Sequence, residues 1–245
     1  MKKVALFLAT LVLLAAAATP LHADCSTCAF IVFYGGDFDP NNANANGLAN
    51  ENDAVVGGSP YGAATYQNFV FNSADGVGAL FTNNLSGLTP SSAYWEIRSG
   101  VSEGNGGTLI ASGTASGDDF THVATGRSGF GYTEYTDTVQ NLLVNLDAGT
   151  YWFAVVPNDP ENNGRSFNSN TFGLNSFGKQ ISNQQYWNSA FFGANFTNAN
   201  NEGVFPTFSS GVWDVWIPEP SSLIMLGSGL IGAAAAVRRL ISGSR

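Results

Sequence analysis

Four groups of residues in this chain have the types and spacing that do chemistry in other proteins. Gly100-Val101-Ser102-Glu103-Gly104 fits G-x-S-x-G, the turn that presents a serine nucleophile, and Asp118, Asp119 and His122 follow it in the order of a hydrolase triad. Cys25-Ser26-Thr27-Cys28 is a C-x-x-C pair. Asp37 to Gly47 and Asn50 to Asp53 concentrate carboxylate and amide oxygens, the hard ligands that Ca²⁺ prefers, with Asp37, Asp39, Asn41 and Asp53 as its candidate ligands. Trp95, Tyr132, Tyr135, Trp152, Trp187, Trp213 and Trp216 could form a platform on which sugar rings stack.

Context weakens most of these. A nucleophile elbow runs from a strand into a helix, whereas Asn105-Gly106-Gly107 continues a loop. His122 is the only histidine after His22, so metal sites and dyads built on two histidines are excluded. The C-x-x-C lacks the strand and helix of a thioredoxin-like motif, and two cysteines without histidine partners cannot complete a tetrahedral zinc site. In an oxidising exterior Cys25 and Cys28 are expected to close a local disulfide. An EF-hand starting at Asp37 is excluded because its sixth position is Asn42 instead of Gly and its twelfth is Leu48 instead of Glu. A carboxylate pair for glycoside hydrolysis is defined by its separation in space, which sequence does not give. The expectation is a protein that is not an enzyme and needs no cofactor beyond a structural calcium ion.

The elements that must position these residues read as strands. Ala93 to Arg98 alternates, with Trp95 and Ile97 on one face and Glu96 and Arg98 on the other, as a half-buried strand requires. Tyr66 to Phe71, Val77 to Phe81, Thr108 to Ala111, Phe120 to Thr125 and Val212 to Ile217 are further short runs. Asn141 to Leu146 and Thr150 to Val156 flank Asp147-Ala148-Gly149, a spacing that predicts a hairpin. Tyr151 to Val156 is apolar on both faces and should be a central strand. No stretch of the body shows a capped 3.6-residue period, so helices should be few and short. Many short strands with Gly-rich turns predict an all-β body: a two-sheet antiparallel sandwich, jelly-roll-like, with an immunoglobulin-like topology as the rival.

Charge then separates body from ends. The chain has 245 residues and a formal charge of −9, but Lys2, Lys3, Arg238, Arg239 and Arg245 lie at its termini. Residues 24–220 carry four basic against eighteen acidic side chains, a charge of −14, which excludes a nucleic-acid binder. Lys2-Lys3 precedes a run from Val4 to Ala18 that is apolar except for Thr10, and Pro20 breaks it. This layout predicts a signal helix in 1–23, cut between Ala23 and Asp24. At the other end, Ser221 to Val237 is 17 residues without a charge, just long enough to cross a bilayer, and Arg238-Arg239 would hold its far end in the cytoplasm. Three regions follow: 1–23, the body 24–217 and the C-terminal segment 218–245.

Pro218-Glu219-Pro220, a short apolar span and the basic Arg238-Arg239, in that order at the C-terminus, resemble the PEP-CTERM sorting signal. The resemblance implies an exported protein of a Gram-negative bacterium, anchored in the inner membrane as a precursor and processed by an exosortase, with a mature body at the cell surface or outside the cell and a link to exopolysaccharide. Arg238-Arg239 is followed by Leu240 to Arg245, a weaker basic cluster than such signals usually carry. Trp95 to Gly100 with Gly106 to Gly113 is similar to surface-protein domains found ahead of this signal, which adds class and no chemistry. The expected function is a structural or adhesive matrix protein, with a non-catalytic carbohydrate-binding module as the alternative and a secreted hydrolase third. Its expected partners are exosortase, the export machinery, the inner membrane and extracellular polysaccharide.

Overall fold

A computed structural model describes residues 29–204 and 207–215. The signal-cleavage pair Ala23 and Asp24, Cys25, Cys28, Trp216, Pro218, Glu219, Pro220, Arg238 and Arg239 lie outside the described residues, as do both expected helices. Among the described residues no helix is long and apolar enough to cross a membrane.

The described chain is all-β. Its first strands are β1 (Ala29–Tyr34), β2 (Gly47–Ala49), β3 (Asn52–Asp53), β4 (Ala64–Phe71), β5 (Asp75–Val77) and β6 (Ala79–Ser86). β7 (Ser92–Ser99) and β8 (Thr108–Ser116) lead through a 3₁₀ turn at Gly117–Asp119 into β9 (Phe120–Gly129) and β10 (Tyr132–Val139). β11 (Val144–Leu146), β12 (Gly149–Asp159), β13 (Ser166–Thr171), β14 (Tyr186–Ser189) and β15 (Ala194–Asn198) follow. A second 3₁₀ turn at Ala199–Glu202 precedes β16 (Thr207–Phe208) and β17 (Ser210–Val215).

Two large sheets form. One runs β1-β17-β6-β10-β9, with β13 joined to the far half of β6 and carrying β2 and β16. The other runs β15-β14-β4-β12-β7-β8, with β3 attached to β12 in the one parallel pairing among the described strands. The first and last strands are therefore neighbours, Ala29 opposite Val215. Leu80, Phe120, Val139 and Val212 from the first sheet meet Phe69, Ala93, Ile97, Phe153 and Val155 from the second in one buried cluster. Removal of each large side chain here from water contributes about 1.5–3 kcal/mol.

Two expectations are corrected. Asp147-Ala148-Gly149 closes no hairpin: β11 pairs with β5, while β12 lies between β4 and β7. Gly149 does not take the positive φ that such a turn demands. The run Tyr151 to Val156 has two apolar faces and two edges to satisfy, and the centre of a sheet satisfies all of them. The tight hairpin is instead β9–β10, turned by Phe130 and Gly131 at φ 54° and 85°. The second correction concerns Glu96, which the alternation of β7 assigned to a solvent face but which is only 1% exposed.

Glu96 is buried because aromatic side chains, among them Tyr61 and Tyr94, pack over the outer face of its sheet. Tyr66, Trp152, Tyr186 and Phe196 pack there as a second apolar layer. In the other sheet, every residue of β6 is buried. Its inward Thr82 and Asn84 bond to the carbonyl of Val155 and to Asn50 and Asp137. Buried amides of this kind are tolerated because each is hydrogen-bonded.

Candidate functional site

The hydrolase set is not assembled. Ser102 lies in the loop at the Thr108 end of β8, where it exchanges two backbone hydrogen bonds of 2.9 Å with Asn105. His122 follows the opposite end of β8, a nine-residue strand about 30 Å long. Asp118 and Asp119 do not orient His122. The Asp118 carbonyl accepts from Gln140, and the Asp119 carboxylate accepts from Asn141. The partner of His122 is Asp137, 2.5 Å from Nδ1, and the imidazole stacks on Tyr135 with centroids 4.1 Å apart. Burial pushes the Asp137 carboxyl up, with the His122 and Asn84 contacts opposing it.

Of the candidate calcium ligands, Asp37, Asp39 and Asn41 share one loop and Asp53 lies apart from them. Asp37 accepts from the Tyr34 hydroxyl, Asn175 and Arg127. Partial burial pushes its carboxyl up, but the Tyr34 and Asn175 hydrogen bonds and the Arg127 charge together hold it below its ordinary value. Asp39 accepts from the Asn41 amide and closes a local turn. Asp53 sits in β3 on the other sheet and accepts from the amides of Val55 and Val56. Among the described residues no three His, Cys, Asp or Glu side chains gather as a metal would need.

Ion pairs account for much of the remaining charge. Glu96 accepts from Tyr66, from Tyr94 at 2.8 Å and from Arg98 at 2.6 Å. Glu134, fully buried, takes Arg127 at 2.6 Å and Ser169 at 2.6 Å. Glu51, also buried, takes Arg165 at 2.6 Å and the Ser166 amide at 2.6 Å. Burial raises the Glu51 carboxyl, and the Arg165 contact opposes it. Breaking such a pair by removing one partner costs about 3–5 kcal/mol, because the other charge stays buried.

Of the described members of the aromatic set, two are core and four are partly buried. Trp152 and Trp187 are buried and give their indole N–H to the carbonyls of Gln184 and Ala49. Trp95 packs beneath Gly113, and Trp213 packs on Phe81. Tyr132 differs, because it lines an open cleft of about 220 Å³ with Asn46, Gly47, Leu85, Phe130 and Phe167. The pleat builds this site: Leu85 on β6, Tyr132 on β10 and Phe167 on β13 all point to the outer face of the first sheet. Tyr132 and Phe167 meet with centroids 5.8 Å apart, and the Arg165 guanidinium lies 5.5 Å from the Phe167 ring, tethered by Glu51.

Phe130 stands at the rim, 67% exposed, in the left-handed backbone region that side chains other than Asn, Asp and Gly rarely adopt. Gly47 lies close against β13: a Cβ there would come within 3.0 Å of the Asn168 carbonyl oxygen and 3.1 Å of the Phe167 Cβ. Sequence reading found Tyr132, gave Asn46 and Gly47 to the oxygen-rich loop instead, and missed Phe130, Phe167 and Leu85. The available signal was Gly129-Phe130-Gly131, an aromatic residue between two glycines. Its partners come from strands far apart in sequence.

No curated protein matches the chain. Residues 217–239, which begin two residues after β17 ends, match the model of the PEP-CTERM protein-sorting motif, so this chain carries an exosortase-directed sorting signal and is an export substrate with a membrane-anchored precursor.

Proposed function

We propose that this is an exosortase-processed surface or matrix protein whose body is a non-catalytic, structural or adhesive β-sandwich of jelly-roll type, linked to extracellular polysaccharide. The observation that carries this reading is the sorting motif placed directly after the strand that completes the body. The orders β1-β17-β6-β10 and β4-β12-β7-β8 support the jelly-roll topology, in which the first and last strands lie side by side. Intact mass and fractionation of the exported protein test the processing. The expected product lacks 221–245 and leaves the membrane, and a product that retains them overturns the reading.

The cleft favours adhesion through sugar, the reading of the body as a carbohydrate-binding module. Phe130, Tyr132 and Phe167 offer apolar ring faces to the C–H side of a pyranose, and the backbone conformation of Phe130 is one that a purely structural turn would give to Asn or Gly. Affinity electrophoresis in gels containing extracellular polysaccharide should show retardation that Phe130→Ala weakens about tenfold, the effect of one stacked aromatic. Unchanged mobility of the variant would remove the cleft from the account and leave the processing untouched.

A further inference from the structure

We infer that the cleft is one end of a longer track, and that the body takes an uncharged polysaccharide chain across at least two pyranose rings instead of a single sugar at a chain end. The inference rests on the reading of the cleft as a sugar site. Its second station is the turn between β14 and β15, where Phe191 and Phe192 stand 55% and 41% exposed with ring centroids 4.9 Å apart. Arg165 joins the two stations: its guanidinium carbon lies 5.5 Å from the Phe167 ring of the cleft and 5.8 Å from the Phe192 ring.

Both stations are fixed to the same pair of strands. Phe192 packs on Trp187 with centroids 5.3 Å apart, the Trp187 indole donates to the Ala49 carbonyl at 2.9 Å, and Ala49 lies opposite Phe167 in the pairing of β2 with β13. The backbone amide of Phe192 donates to the Ser189 hydroxyl, whose own proton goes to the Gly62 carbonyl. A site already held in place loses little freedom when it binds.

The order of ring, donor and ring suits a sugar chain. Each pyranose has a C–H face that packs on an aromatic ring and a rim of hydroxyls that needs hydrogen bonds. Phe167 and Phe192 supply the ring faces. Between them Arg165 turns Nε and Nη2 to Glu51, which leaves Nη1 without a partner among the described residues on a side chain that is 31% exposed, so it is free to donate to a hydroxyl. In the cleft the Tyr132 hydroxyl likewise has no partner among the described residues. Charge selects an uncharged chain. Arg165 is already neutralised by the buried Glu51, and the other side chains of the track are phenylalanine and tyrosine. An anionic polymer would meet a body of −14 with no unpaired cation on the track to receive it.

The test is affinity electrophoresis of the full-length chain, in a detergent without a sugar headgroup, through gels containing in turn dextran, xylan, galactomannan, a mixed-linkage β-glucan, alginate or polygalacturonate. The expected result is retardation by at least one of the four uncharged polymers and by neither acidic one. Fragments of one to six rings cut from the retarding polymer then compete with it. Those that reach both stations should compete about tenfold better than a single ring, the gain of one further stacked aromatic. Phe191→Ala and Phe192→Ala should each remove that gain and leave single-ring competition unchanged, with the thermal midpoint as the check on folding. Should either variant misfold, the length series in the unaltered chain still decides. Competition complete at one ring, a length gain that survives in both variants, or retardation by an acidic polymer overturns the track and leaves the cleft reading in place. No retardation by any polymer removes the cleft itself, and the track with it.

Discussion

At the residue scale, charge in this body works inward. Three of the four basic residues between 24 and 220 are used in pairing carboxylates: Arg98 with Glu96, Arg127 with Glu134 and Asp37, and Arg165 with Glu51. None of these pairs was legible in the sequence except Glu96 with Arg98 as near neighbours, because the others join positions from 7 to 114 residues apart. Asp37 gives a pH prediction with a definite sign. Its folded carboxyl titrates below the ordinary 3.8, so its stabilisation is present above about pH 4 and is lost as pH falls through that value toward the folded one. Asp37→Asn should lower stability by about 2 kcal/mol at neutral pH, since hydrogen bonds to a charged group are weakened. Urea unfolding of both forms from pH 7 to pH 3 checks this, with the gap between them shrinking below about pH 4. A gap that stays constant across the range would contradict it.

At the element scale, the informative comparison is between two turns. Asp147-Ala148-Gly149 has the residues of a hairpin turn and makes none, while Gly129-Phe130-Gly131 makes one with a phenylalanine where Asn would suit the backbone. Local turn chemistry offers a direction change, but strand pairing is decided by what both faces of each strand must bury. β12 ends up between β4 and β7 for that reason, as its apolar run predicted. Phe130 should accordingly be a point of conflict between stability and adhesion. Phe130→Asn relieves a left-handed cost of about 1–2 kcal/mol and forfeits its packing near Phe38, for a net gain of about 0.5–1 kcal/mol. Thermal unfolding should show a higher midpoint for the variant while polysaccharide retardation weakens. A lower midpoint would mean that Phe130 is held by packing alone.

At the scale of the whole molecule, β17 is the closing piece, lying between β1 and β6 and placing Val212 in the shared core. A chain that ends at Phe208 should therefore show no cooperative urea transition, even though it keeps most of the strands. Full cooperativity in that truncation would show that the first sheet closes without β17. The sorting motif thus follows the last element on which folding depends. What the sequence determined by itself was the address and the class: the sorting signal, the acidic body between basic ends, the all-β character and the central position of β12. These rest on composition, on the order of short segments and on the period of a single strand, all of which are local. Only the tertiary structure decided which strands pair, that Glu96 is buried, that Asp53 sits on a different sheet from the Asp37 loop, that Ser102 and His122 lie at opposite ends of β8, and that Phe130, Tyr132 and Phe167 share a cleft. Those outcomes depend on how two sheets and their covering segments meet, and no local pattern encodes the contact of residues a hundred positions apart.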